Sequence, residues 1–158
     1  MIPLLMLWMA SPSQATTIHA HGETTEDAFE HLVDEAAAVV RATVLSTETM
    51  VRGRGLVTHY ELVVTDCIEG DAVDTLSFAL PGGVRADGVM ERVSGVPVWS
   101  EGADVVVLVP ESGQPSLYGV YTLDEHMALH GALPLVDKHN LLLDISRFEK
   151  RVHALSHP

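Results

Sequence analysis

The chain has 158 residues, 47% hydrophobic and 20% charged, which is the balance of one globular domain with a single core rather than of a disordered chain. Twenty-two Asp and Glu against nine Lys and Arg give a formal charge of -13 with His neutral. That field repels polyanions, so it argues against nucleic-acid partners and anionic membrane surfaces, while cationic partners and metal ions are welcome.

Residues 1–15 have the pattern of an export signal. Ile2 to Ala10 is an unbroken apolar run, and Ser11 to Ala15 follows with small residues at Ser13 and Ala15, a small-x-small cleavage site. The run is about half the ~20 apolar residues that a spanning helix needs. No Lys or Arg precedes it, and no Cys follows where a lipoprotein signal needs one. The expectation is a secreted or periplasmic protein, cleaved near Ala15 and with no membrane span in the mature chain. Residues 16–23 are polar and read as a flexible leader, and residues 24–158 read as the single domain.

Thr24 or Thr25 can cap a helix whose apolar face is Ala28, Phe29, Leu32, Val33 and Ala36. The period then changes from helical to two. Val40, Ala42 and Val44 alternate with Arg41 and Thr43 in a strand over Val39–Leu45. Val51–Gly55 is a basic, Gly-containing hairpin loop. The next strand puts Tyr60, Leu62, Val64 and Ile68 on one face and Glu61, Val63, Thr65 and Cys67 on the other, up to a turn at Glu69-Gly70-Asp71. Leu76, Phe78 and Leu80 alternate with Thr75, Ser77 and Ala79 in a third strand.

Pro81–Gly88 is a Gly-rich loop, and Met90–Val98 is weakly strand-like. Asp104–Val109 is nearly continuous in apolar residues, as in a strand buried on both faces. Tyr118–Leu123 and Met127–Val136 read as two further strands. Leu142, Ile145, Phe148, Val152 and Leu155 recur at helical spacing in a C-terminal amphipathic helix, with Asn140 as its cap. The fold class is mainly β: a small antiparallel OB-like barrel or sandwich of about 5–7 strands with a helix at each end.

The run Ala37-Ala38-Val39-Val40-Arg41-Ala42-Thr43-Val44, then Thr58 to Val64, Ile68-Glu69-Gly70 and Gly102 to Leu108, resembles a group of uncharacterised secreted bacterial proteins. More distantly it is similar to the netrin-like module of the tissue inhibitors of metalloproteinases. The resemblance covers about Ala36 to Leu133 as a hydrophobic and turn pattern. It implies a five-stranded OB-type barrel with flanking helices and an extracellular binding role. Those inhibitors grip the protease's zinc with an N-terminal cysteine and carry several disulfides. Here the mature chain is expected to begin at Thr16, and the one cysteine, Cys67, has no partner, so protease inhibition is assigned to no residue. Cys67 reads as a small core residue.

The nine histidines raise the question of metal. His19 and His21 place two imidazoles on one side of an extended leader, without a fixed third ligand. His126 and His130 are four apart with Asp124 beside them, but the zinc-protease order is absent because Met127 follows His126. Four residues apart on a strand is about 13 Å, too far for one ion. Pro81-Gly82-Gly83 lacks the Lys-Ser/Thr of a phosphate loop and reads as a turn. There is no Gly-x-Ser-x-Gly.

No catalytic residue and no cofactor are assigned. The leading expectation is an exported, non-enzymatic module that binds an extracellular or cell-envelope protein. Its contact surface is the loops around Val51–Gly55 and Pro81–Met90, with Arg52, Arg54, Arg85, Arg92 and Trp99. The alternative is a metal-binding protein or metal-dependent hydrolase using His126, His130 and Asp124.

Overall fold

The computed structural model describes residues 24–71 and 73–158. The expected export signal, the leader, His19 and His21 lie outside them.

Helix α1 (Thr25–Glu35) begins at Thr24, which accepts the N–H of Asp27 while the Asp27 carboxylate accepts the N–H of Thr24. This reciprocal pair satisfies two of the donors that a helix start leaves over. Strand β1 (Ala36–Arg52) follows directly. It forms a long hairpin with β2 (Gly55–Gly70), closed by Gly53 and Arg54. Gly53 has φ 63, the left-handed conformation that suits a two-residue hairpin loop.

Both strands outrun the alternation seen in the sequence, because bulges break it. Val44 pairs with Leu62 and Ser46 with Glu61, so Leu45 is the extra residue and stands 60% exposed. The pattern ends there, but the strand continues to Arg52. In β2, Val40 pairs with Cys67 and Ala42 with Val64, which makes Thr65 and Ile68 extra residues. Cys67 therefore joins the face of Tyr60, Leu62 and Val64, and Ile68 turns to the opposite one. This corrects the strict alternation, in which one added residue swaps every later side chain. Cys67 is only half-buried at the edge of that core.

The chain continues through β3 (Thr75–Pro81), β4 (Gly83–Val84), β5 (Met90–Glu91), β6 (Asp104–Pro110), β7 (Val120–Leu123), β8 (Leu129–Gly131) and α2 (Ile145–Ser156). Six strands form one antiparallel sheet in the order β3-β2-β1-β6-β7-β8, and β4 and β5 make a separate ribbon. The fold is mainly β with a helix at each end. The sheet stays open rather than closing as a barrel: β3 and β8 are its edges. The strands expected over Met90–Val98 and Met127–Val136 contract to Met90–Glu91 and Leu129–Gly131, and the rest is turn and loop.

Each face of the sheet carries its own core. On one, Phe29 and Val33 of α1 and Phe148 and Val152 of α2 pack over Val39, Val106, Leu108 and Tyr121. Phe148 lies 5.7 Å from Phe29 and 6.1 Å from Tyr121, centroid to centroid, and is fully buried. On the other face, Val40, Ala42, Leu62, Phe78, Val105 and Val107 pack under Trp99. Strand β6 serves both cores, with Val105, Val106 and Val107 each 0% exposed, as its continuous apolar run requires. Among the described residues no helix is long and apolar enough to cross a membrane.

Candidate functional site

Two loops far apart in sequence meet at the tip of the β1–β2 hairpin. The Gly82 N–H donates to the Leu56 carbonyl at 2.7 Å, and the Leu56 N–H donates to a Glu91 carboxylate oxygen at 2.6 Å. These bonds lay the β4–β5 ribbon beside the start of β2. The crossing is possible because Gly83 has φ 134 and no side chain: a Cβ there would stand 1.9 Å from Thr58 Oγ1. Thr58, 3% exposed, bonds to the Gly82 carbonyl at 2.7 Å and to Thr49 Oγ1 at 2.8 Å, which satisfies its hydroxyl.

The same contact gathers the arginines. Arg52 ends β1, Arg54 occupies the turn, and Arg85 and Arg92 flank the ribbon. Arg85 pairs with Asp87. No ion pair among the described residues uses Arg52, Arg54 or Arg92. Met50, Val51, Val84, Val89 and Met90 are exposed among them. This end is locally basic and partly apolar on a chain of formal charge -13.

Trp99 is 5% exposed, with Tyr60 edge-on at 5.1 Å and Phe78 at 6.2 Å. Its indole N–H donates to Thr122 Oγ1 at 2.7 Å, the partner that a buried indole needs. It is foremost a core anchor. One side of it, with Thr47, Thr49, Thr58, Val98 and Glu101, lines an open groove of about 390 Å³ running to Val84.

The residues Asp124, His126 and His130 belong to a turn. Asp124 Oδ1 accepts the N–H groups of His126 at 2.8 Å and Ala128 at 2.9 Å, and Met127 takes φ 62. Asp124 Oδ2 is 2.7 Å from His130 Nε2. The His126 ring turns away, with Nε2 3.6 Å from Glu125. The same device recurs at Asp137: its Oδ1 accepts from His139 at 2.8 Å and Leu141 at 3.1 Å, Asn140 takes φ 60, and Oδ2 pairs with Arg147 at 2.8 Å. Each turn uses the backbone N–H two residues after its aspartate, a donor that any residue but Pro supplies, so the recurrence of Asp-x-His does not by itself mark the imidazoles as ligands. The hydrogen bond from His130, then those from Ala128 and His126, hold the Asp124 carboxyl at about 2. Backbone N–H groups of Leu141 and His139 likewise lower that of Asp137. Asn140 therefore belongs to this turn, and the N-cap of α2 is Asp144, which accepts the Arg147 N–H at 2.9 Å.

A different histidine pair converges with a carboxylate. Glu69, His153 and His157 are the only His, Cys, Asp or Glu group of three or more among the described residues whose ligand atoms all lie within 4.8 Å of one another. The sequence signal was there, a His-x-x-x-His at helical spacing whose second member caps the end of α2. What it lacked was Glu69, which lies 84 residues from His153 in the chain.

Comparison with protein-family models, with curated proteins and with solved structures finds no match.

Proposed function

We infer that the protein is an exported, non-enzymatic binding module, and that it holds an acidic polypeptide of the extracellular space or cell envelope against the hairpin-tip surface of Arg52, Arg54, Arg85 and Arg92. The observation that carries this reading is the meeting of Val51–Leu56 with Gly82–Arg92 through the Leu56–Glu91 and Leu56–Gly82 hydrogen bonds. It concentrates arginines at one end and uses the Glu91 carboxylate internally. Charges more than about 8 Å apart are largely screened at physiological salt. An approaching acidic chain would therefore meet these arginines rather than the net charge of the whole. Arginine forms planar bidentate contacts with carboxylates, and the exposed Met and Val side chains between the arginines offer apolar contact. The netrin-like resemblance belongs to the same proposal.

The test is affinity capture from culture medium and envelope extract with wild type and an Arg52→Glu, Arg54→Glu variant. Acidic proteins retained by wild type, released by salt and lost from the variant support the reading. A partner set unchanged by the variant removes this surface from consideration.

A further inference from the structure

We propose that Glu69, His153 and His157 form a binding site for a divalent transition-metal ion, with zinc as the best match, at the end of β2 opposite the arginine surface. His153 Nδ1 lies 3.5 Å from Glu69 Oε2, and His157 Nε2 lies 3.3 Å from Glu69 Oε1. Zinc bonds of about 2.0–2.1 Å in a tetrahedral arrangement separate the ligand atoms by about 3.3–3.4 Å. Each imidazole thus lies near the required length from one carboxylate oxygen, His153 from Oε2 and His157 from Oε1. With one ligand atom taken from each residue, all three separations are within 4.8 Å, and rotation of the exposed rings and the carboxylate can shorten them. Two imidazoles and a carboxylate are the borderline donor set that zinc prefers.

Glu69 sits on β2 and His153 on α2, and His157 caps the end of α2. Fully buried Phe148 and Val152 seat α2 on the sheet. The His157 N–H donates to the His153 carbonyl at 3.1 Å, which ties the two ligand positions together at the helix end. Glu69 lies in the ladder opposite Val39. The ring centroids are 4.6 Å apart with their planes tilted at 55°, and Glu69 is the carboxylate paired with both. Three protein ligands leave a coordination position to water, as in open zinc sites. His153 also borders a shallow groove of about 330 Å³ with Cys67, Glu149 and Lys150.

The experiment is competition of the untagged protein against a zinc-chelating dye at neutral pH, in a His19→Ala, His21→Ala background that removes the leader imidazoles. One zinc ion per chain is expected. His153→Ala with His157→Ala should weaken it by more than the ~10–100-fold typical of removing an outer-shell partner. Glu69→Gln, which preserves side-chain shape, should weaken it measurably, and His126→Ala with His130→Ala should leave it unchanged. All three replaced ligands are at least partly exposed, and far-UV circular dichroism confirms that each variant is folded. Cobalt substitution adds a second readout: ligand-field bands of a four- or five-coordinate ion in the parent that are absent from the double-histidine variant. Failure of the parent to bind zinc, or affinity equal to the parent's in the double-histidine or the Glu69 variant, overturns the proposal.

Discussion

Glu91 is the residue through which the hairpin tip and the ribbon hold together, so its removal has a calculable cost. In Glu91→Ala the Leu56 N–H, on a residue 6% exposed, loses its acceptor at 2.6 Å. A hydrogen bond to a charged group contributes about 1.5–3 kcal/mol, and partial exposure of Glu91 puts this one near the lower figure, about 1.5 kcal/mol. At about 2–4 °C per kcal/mol for a domain of this size, Tm should fall by about 3–6 °C. The loss is local first. The Gly82–Leu56 bond remains, so the ribbon loosens before the sheet opens, and the Leu56 amide should exchange hydrogen faster while those of β6 do not. Glu91→Gln keeps an acceptor and should lose roughly half as much. Thermal unfolding followed by circular dichroism, with hydrogen exchange at single-residue resolution, makes the measurement. A Glu91→Ala protein with unchanged Tm and unchanged Leu56 exchange would refute the assignment of Glu91 as the tie.

Gly83→Ala should cost more than about 3 kcal/mol, because φ 134 is strained for alanine and its Cβ would collide with Thr58 Oγ1; a urea midpoint close to wild type would contradict the close approach. Phe148→Ala should lose about 3–5 kcal/mol in urea unfolding, since the ring is fully buried between Phe29 and Tyr121, and a loss under about 1 kcal/mol would mean that α2 is not seated there. The Asp124 carboxyl should titrate near 2 in the folded protein, against 3.8 for the free group. Because the folded value is depressed, its stabilisation is fully present above about pH 4 and disappears as pH falls through about 2. An NMR titration of that carboxyl with a midpoint at the ordinary value would remove the turn's hydrogen bonds from the account.

The sequence reveals those elements whose pattern runs unbroken from end to end. Phe29 and Val33 mark α1, Phe148 and Val152 mark α2, and the run Val105–Val109 marks a strand with a core on each side. It conceals those in which a bulge shifts the parity: β1 looks finished at Leu45, and Cys67 and Ile68 look as though they face opposite to where they do. The turns at Asp124 and Asp137 are equally hidden, because short polar segments beside Leu129, Leu135 and Leu143 mimic strand alternation. The arginine positions are legible as loop charges, and their convergence is not, since it depends on one carboxylate and one carbonyl reaching Leu56. His153 and His157 have helical spacing in the sequence, although His157 caps α2 rather than lying in it, whereas the carboxylate that completes the group lies on β2, beyond the reach of any local pattern.

The most direct measurement is an amide-resolved NMR titration of the protein with poly-L-glutamate at physiological salt. Shifts concentrated at Val51–Leu56 and Val84–Arg92 are expected, and these should be abolished by Arg52→Glu with Arg54→Glu. Shifts spread evenly over the surface, centred on another face, or undiminished in that variant would contradict the proposed arginine surface.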